Sequence, residues 1–121
     1  MKKRIAVIED NADNRLLVGA ILEDLYLLDE YASGPEALAG LARDRPDLVL
    51  LDISLPEMDG MEVLRRLRAD PALASLPVLA LTAHAMRGER ERFLACGFNG
   101  YVSKPITDEN ILLAAIREHL P

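Results

Sequence analysis

Five residues of this sequence stand out for the chemistry they could do together: Glu9, Asp10, Asp52, Thr82 and Lys104. They comprise three carboxylates, one hydroxyl and one ammonium. Held close together, Glu9, Asp10 and Asp52 repel one another, and at least one of their pKa values rises unless a cation relieves the strain. A hard divalent ion such as Mg2+ takes oxygen ligands, keeps several waters and commonly binds one or two carboxylates plus a phosphate oxygen. Lys104 supplies a point charge for a carboxylate or a phosphoryl oxygen, and Thr82 supplies a hydroxyl donor. This set suits phosphoryl transfer, which depends on an in-line nucleophile and charge neutralisation more than on acid–base work. An ionised Asp52 can attack phosphorus directly and form an acyl phosphate.

Taken singly, each residue has a plainer use. The run Glu9-Asp10-Asn11-Ala12-Asp13 can cap a following helix, because anions suit helix N-termini, and Asp13 and Asn14 are assigned that role. Thr82 alone is an ordinary strand-end hydroxyl, and Lys104 alone an exposed lysine. Position is what outweighs the plainer reading, since all of these residues follow short apolar runs.

Those runs are Ile5 to Ile8, Leu48 to Leu51, Val78 to Leu81 and the shorter Gly100 to Val102. They lack polar alternation, as strands covered on both faces do. Leu27 to Ala32 reads as a fifth strand, and Asp29 and Glu30 place it at an edge. Helical patterns lie between the runs. Leu17, Ile21 and Leu25 share one stripe; Pro35 opens a second helix before Glu36-Ala37-Leu38; Val63, Leu64 and Leu67 give a third after Asp59-Gly60. A fourth runs from Met86 to Ala95 and stops at Gly97. A fifth, capped by Thr107, carries Leu112, Ile116 and Leu120, with His119 in its last turn as surface charge. Strand–helix alternation repeated in this way predicts an α/β fold, a doubly wound parallel sheet of five strands with helices on both faces. Ligands of such sheets bind at the carboxyl ends of the strands, where strand order reverses. That is where the five residues fall.

The chain of 121 residues is the size of one domain, spanning residues 1–121. Aromatics are few (Tyr26, Tyr31, Phe93, Phe98, Tyr101), so the core must be aliphatic. A net charge of −6 argues against direct nucleic-acid binding, which needs clustered Lys and Arg. Cys96 is the only cysteine, which excludes an internal disulfide and a cysteine-rich metal site. The apolar run after Met1-Lys2-Lys3-Arg4 is too short for a signal peptide or a membrane span, so a cytoplasmic location without membrane insertion is expected.

Four segments together resemble the receiver domains of bacterial two-component response regulators, over essentially the whole chain. Ile8-Glu9-Asp10-Asn11 looks like that family's acidic pair, and Leu50 to Gly60 like its phosphoacceptor strand and proline–glycine loop. Ala80-Leu81-Thr82-Ala83 looks like its hydroxyl position, and Tyr101-Val102-Ser103-Lys104-Pro105 like its lysine–proline motif. The resemblance implies a flavodoxin-like, CheY-like fold with Asp52 as phosphoacceptor. It implies a Mg2+ site, which Mn2+ can also fill, formed by Asp10 and Asp52, the backbone carbonyl of Ser54 and, through water, Glu9. It implies that Thr82 and Lys104 bind phosphoryl oxygens, that the Lys104–Pro105 peptide is cis, and that Tyr101 is a switch aromatic. Ser54 and His84 would border the path of the hydrolytic water and tune dephosphorylation. Residues Leu81 to Gly88 and Ser103 to Ile106 look most like stand-alone regulators of the DivK kind and receivers of hybrid histidine kinases. Two loops depart from the family pattern: the turn at Ser33–Glu36 is one residue tighter, and Thr107–Asn110 is one residue longer.

The expected role is a phosphorelay switch. A histidine kinase or histidine phosphotransfer protein donates to Asp52, and a protein partner reads the face of helix four, strand five and helix five. Because the sequence ends at Pro121, just after helix five, the expected output is a protein contact or onward phosphotransfer rather than an attached effector. A phosphohydrolase of the haloacid-dehalogenase type would want an Asp two residues after the nucleophile, where Ser54 stands. A nucleotide- or flavin-binding module would want a glycine-rich loop after the first strand, and none follows it. A receiver-shaped adaptor that has lost phosphorylation is the remaining alternative, and the presence of all five site residues argues against it.

Overall fold

The computed structural model describes residues 2–83 and 89–120. Five strands alternate with five helices: β1 (Arg4–Ile8), α1 (Ala12–Leu22), β2 (Leu27–Tyr31), α2 (Gly34–Arg43), β3 (Leu48–Asp52), α3 (Gly60–Ala69), β4 (Val78–Thr82), α4 (Glu89–Cys96), β5 (Gly100–Ser103) and α5 (Glu109–His119). All strand pairs are parallel, in the order β2-β1-β3-β4-β5. The order reverses between β1 and β3, and this opens a crevice at their carboxyl ends.

Alternation along each strand sends side chains to two separate cores. Ala6, Ile8, Val49, Leu51, Val78 and Ala80 face α2, α3 and α4, packing with Leu41, Leu64, Leu67 and Phe93. Ile5, Val7, Leu48, Leu50, Leu79 and Leu81 face the other way, onto Val18 and Leu22 of α1 and Leu112 and Ile116 of α5. β3 and β4 are buried along their whole length, which explains their unbroken apolar runs. β2 is the half-exposed edge expected from Asp29 and Glu30, and Asp29 pairs with Arg4 on β1 at 3.0 Å.

Local chemistry sets the helix starts. Asn11, Ser33 and Asp59 cap α1, α2 and α3, each accepting from the amide three residues on. α5 is capped by Asp108, which accepts from the Asn110 amide, and not by Thr107 as the sequence suggested. The two are adjacent and both are cap formers, and a carboxylate suits a helix N-terminus better than a hydroxyl. The expected stripe of α1 is also corrected. Leu17 and Leu25 are exposed, α1 ends at Leu22, and its buried residues are Val18 and Leu22. With Leu16, Leu17, Val18, Ile21 and Leu22 all apolar, the spacing fitted more than one face. α4 runs from Glu89 to Cys96, and the earlier turn expected from Met86 lies outside the described residues. Gly97 ends it with a φ of +112°, the conformation that glycine tolerates best. No helix among the described residues is long and apolar enough to cross a membrane.

Candidate functional site

β1 and β3 lie side by side at the centre of the sheet, so their ends deliver Glu9, Asp10 and Asp52 to one point. One carboxylate oxygen from each falls within 4.8 Å of the others. Glu9 and Asp52 are buried and Asp10 is exposed at the rim, giving a pocket of negative charge that is closed below and open above.

The buried charges are compensated by specific donors. Oδ1 of Asp52 accepts from the Ser54 amide at 2.9 Å, and Oδ2 accepts from Nζ of Lys104 at 3.0 Å. Nζ of Lys104 also donates to Oε2 of Glu9 at 3.2 Å. Oε1 of Glu9 takes the Asn11 amide at 3.2 Å and the Asn14 side-chain amide at 3.4 Å. The Lys104 amide donates to the Thr82 carbonyl at 2.7 Å, which ties the end of β5 to the end of β4. The Lys104–Pro105 peptide is cis.

The electrostatics follow from burial and proximity. Glu9 is held above its ordinary carboxylate pKa, chiefly by burial and then by the neighbouring Asp52, with Lys104 pulling the other way. Burial alone would lower the pKa of Lys104, but the hydrogen bond it donates to Asp52 and the charges of Asp52 and Glu9 outweigh it and raise the net value. The site therefore holds its lysine charged and resists ionisation of Glu9.

The glycine that opens α3 matters here as well. A Cβ at Gly60 would collide with the Asp52 carbonyl oxygen and lie 2.8 Å from Ile53 Cα, so only glycine lets α3 start this close to β3. The Gly60 amide uses that approach to donate to the Ile53 carbonyl at 3.0 Å.

Of the residues singled out in the sequence, Glu9, Asp10, Asp52, Ser54 and Lys104 meet in this crevice, and Thr82 is buried at the end of β4 beside it. Tyr101 sits farther along β5, half-buried and tilted against Phe93 with ring centroids 6.3 Å apart. His84 lies outside the described residues. His119 is more than surface charge. It is half-buried, its Nδ1 lies 2.9 Å from the Ala115 carbonyl, and its ring packs where a Cβ on Gly100 would come within 3.1 Å. Two residues at the site were missed. Asn14, expected to serve the helix cap, also reaches the Glu9 carboxylate with its side chain, and Arg15 reaches back to the Glu9 and Asp10 carbonyls. Neither belongs to an apolar run, so periodicity gave no signal. A carboxylate pair followed within one helical turn by amide and guanidinium donors was the only cue.

The response regulator receiver domain family model matches residues 5–117. The chain belongs to the response regulator receiver domains. It is 42% identical to the polar-differentiation response regulator DivK of Brucella anthropi over 108 residues, covering 88% of each chain. It is also 41% identical to the response regulator PleD of Caulobacter vibrioides over 118 residues, covering 97% of this chain but only 26% of PleD. The receiver domain of the sensor histidine kinase PA1611 from Pseudomonas aeruginosa, solved with a magnesium ion coordinated in its active-site cleft, superposes with a TM-score of 0.88 at 33% identity, covering 98% of each chain. As a receiver, the chain is a phosphorelay signalling module with the five-stranded fold of its family. The acidic crevice of this receiver offers the hard oxygen donors that Mg2+ prefers.

Proposed function

We propose that Asp52 is the phosphoacceptor of this receiver, loaded by a histidine kinase or a histidine phosphotransfer protein. The observation that carries this reading is the disposition of the Asp52 carboxylate. It is buried among acidic neighbours, yet each oxygen is held by a separate donor, Ser54 N–H and Lys104 Nζ. A carboxylate fixed in this way is presented as an oriented nucleophile rather than spent as a helix cap. An Asp52 oxygen attacks phosphorus, the bond from phosphorus to the donor's imidazole nitrogen breaks, and the imidazole keeps the electron pair. Lys104 maintains a positive charge beside the group being transferred, and Thr82 offers a hydroxyl to a phosphoryl oxygen.

Asp10, Asp52 and the Ser54 carbonyl would hold Mg2+, with Glu9 assisting through water and Mn2+ able to substitute. When bound, the ion offsets carboxylate repulsion and neutralises charge on the phosphoryl oxygens. We place the output at the face of α4, β5 and α5. Tyr101, Leu94, Ala115, Glu118 and His119 line an open hollow of about 270 Å³ there, and the tilt of Tyr101 on Phe93 links it to the core beneath α4. Ser54 and His84 are assigned to tuning the phosphoryl lifetime. The chain acts as a switch, read by a protein partner or passing its phosphoryl group on, and the kinase it serves shares its cytoplasmic compartment.

The test is direct. Incubation with acetyl phosphate and Mg2+ should add one phosphoryl mass to the wild-type chain, and Asp52→Asn should abolish the gain. Absence of an adduct in a chain that still binds Mg2+ would leave only the adaptor reading. Rapid turnover of phosphomonoesters would point instead to a hydrolase.

A further inference from the structure

Glu9 and Asp10 are neighbours in sequence, and adjacent residues of a strand point to opposite faces. Both nevertheless offer an oxygen to the same acidic crevice as Asp52. The backbone must therefore leave the extended path directly after Ile8, where β1 ends. The Glu9 amide is still anchored in the sheet, donating to the Tyr31 carbonyl at 3.0 Å. The carbonyls of Glu9 and Asp10 have left the strand ladder and need other donors. One side chain supplies them. A single guanidinium nitrogen of Arg15, Nη1, lies 2.7 Å from the Glu9 carbonyl oxygen and 3.1 Å from that of Asp10. Arg15 is itself fixed, because it sits in the first turn of α1 with its own amide bonded to the Asn11 carbonyl at 3.0 Å. Arg15 is half-buried, and among the described residues its hydrogen bonds go to carbonyls rather than to carboxylates.

We infer that Arg15 is a positioning residue for the cation site: it clamps the turn that swings Glu9 and Asp10 together, and so sets the affinity of the site for Mg2+. The inference rests on the proposed reading of the crevice as a Mg2+ site. A surface arginine merely capping loop carbonyls would add stability but leave metal binding alone. A clamp on the ligand-bearing turn would change metal binding as well, since removing an outer-shell partner of a metal ligand typically weakens binding by about 10–100-fold.

Arg15→Met and the wild-type chain are titrated with MgCl2 by calorimetry, and amide NMR spectra are recorded without metal. The expected result for Arg15→Met is Mg2+ affinity weakened by at least about tenfold, with shift changes concentrated at residues 9–11. Affinity within twofold of wild type overturns the clamp, and so does a loss accompanied by shift changes spread over the sheet. If Arg15→Met does not fold, Arg15→Gln is measured in its place and judged by the same two criteria. A wild-type chain that binds no Mg2+ overturns both this inference and the proposed site, whereas normal wild-type binding with an unaltered variant overturns the clamp alone.

Discussion

Nζ of Lys104 lies 3.0 Å from Oδ2 of Asp52, and the same amine reaches Oε2 of Glu9 at 3.2 Å, so one charge from the end of β5 compensates two buried carboxylates. Without it, two anions with little access to water face each other. Removing one partner of a buried ion pair strands the other, which typically costs about 3 kcal/mol. Lys104→Met should lose about that much stability in urea denaturation at neutral pH with EDTA present. Millimolar Mg2+ should restore part of the loss, because an ion that binds only the folded state adds its binding energy to folding. A variant as stable as wild type in EDTA would show that the amine is not the compensating charge.

Glu9 and Lys104 leave opposite marks on stability as pH changes. The folded-state pKa of Glu9 lies above its ordinary 4.5, so the contribution of its proton to folding is complete below 4.5 and is lost as pH rises through the folded value. Above that point the ionised, buried Glu9 is a net cost in the metal-free chain. Glu9→Gln should therefore stabilise the metal-free protein by about 1 kcal/mol near neutral pH and leave it unchanged well below 4.5. Lys104, raised above 10.5, contributes fully below 10.5, and its contribution disappears as pH climbs through its folded value. Urea midpoints measured across pH for wild type, Glu9→Gln and Lys104→Met separate the two effects. A Glu9→Gln curve parallel to wild type would contradict the acid-side assignment.

The sequence announced the site more clearly than the helices around it. The runs ending at Ile8, Leu51 and Leu81 could only be buried strands, and a parallel sheet brings the residues after them to one edge. That reasoning alone united Glu9, Asp10, Asp52 and Thr82. It was less secure for α1, where apolar residues on several sides left the buried face undetermined until Val18 and Leu22 were seen against the sheet. Thr107 and Asp108 are adjacent cap formers in the sequence, and the structure seats the carboxylate of Asp108, the better partner for a helix N-terminus, at the start of α5. Periodicity gave no sign of Arg15, and its place one helical turn after a carboxylate pair was the only cue. Its partners are main-chain carbonyls, which every residue carries, so no complementary residue type points to it.

Arg68 provides a contrast at the opposite end of the sheet. Its guanidinium donates to the carbonyls of Ala74, Leu76 and Gly97 and to the Asn99 side chain, joining the loop after α3 to the loop between α4 and β5. Burial lowers its pKa, although it remains charged. Arg68→Met would strand several carbonyls and should cost about 2 kcal/mol in urea denaturation. Mg2+ affinity by calorimetry should stay at the wild-type value, because none of these bonds reaches the crevice. A parallel fall in affinity would reveal coupling between the two ends of the sheet.

Gly60 gives the sharpest test of how tightly α3 positions Asp52. A Cβ there would strike the Asp52 carbonyl oxygen and crowd Ile53 Cα at 2.8 Å, and backbone atoms cannot turn away as a side chain would. Gly60→Ala must push α3 off β3 or displace Asp52, at a cost of roughly 1–3 kcal/mol. Asp59→Ala is the matched control. It removes the cap that accepts from the Glu62 amide at 2.9 Å and should cost about 1 kcal/mol by loosening the same helix, without a clash at Asp52. If Asp52 is the acceptor, labelling by acetyl phosphate should slow at least about tenfold in Gly60→Ala, since small misplacements of a reacting group are costly, and stay near wild type in Asp59→Ala. Equal slowing in both variants would mean that the stability of α3, and not the seat it gives Asp52, governs the reaction.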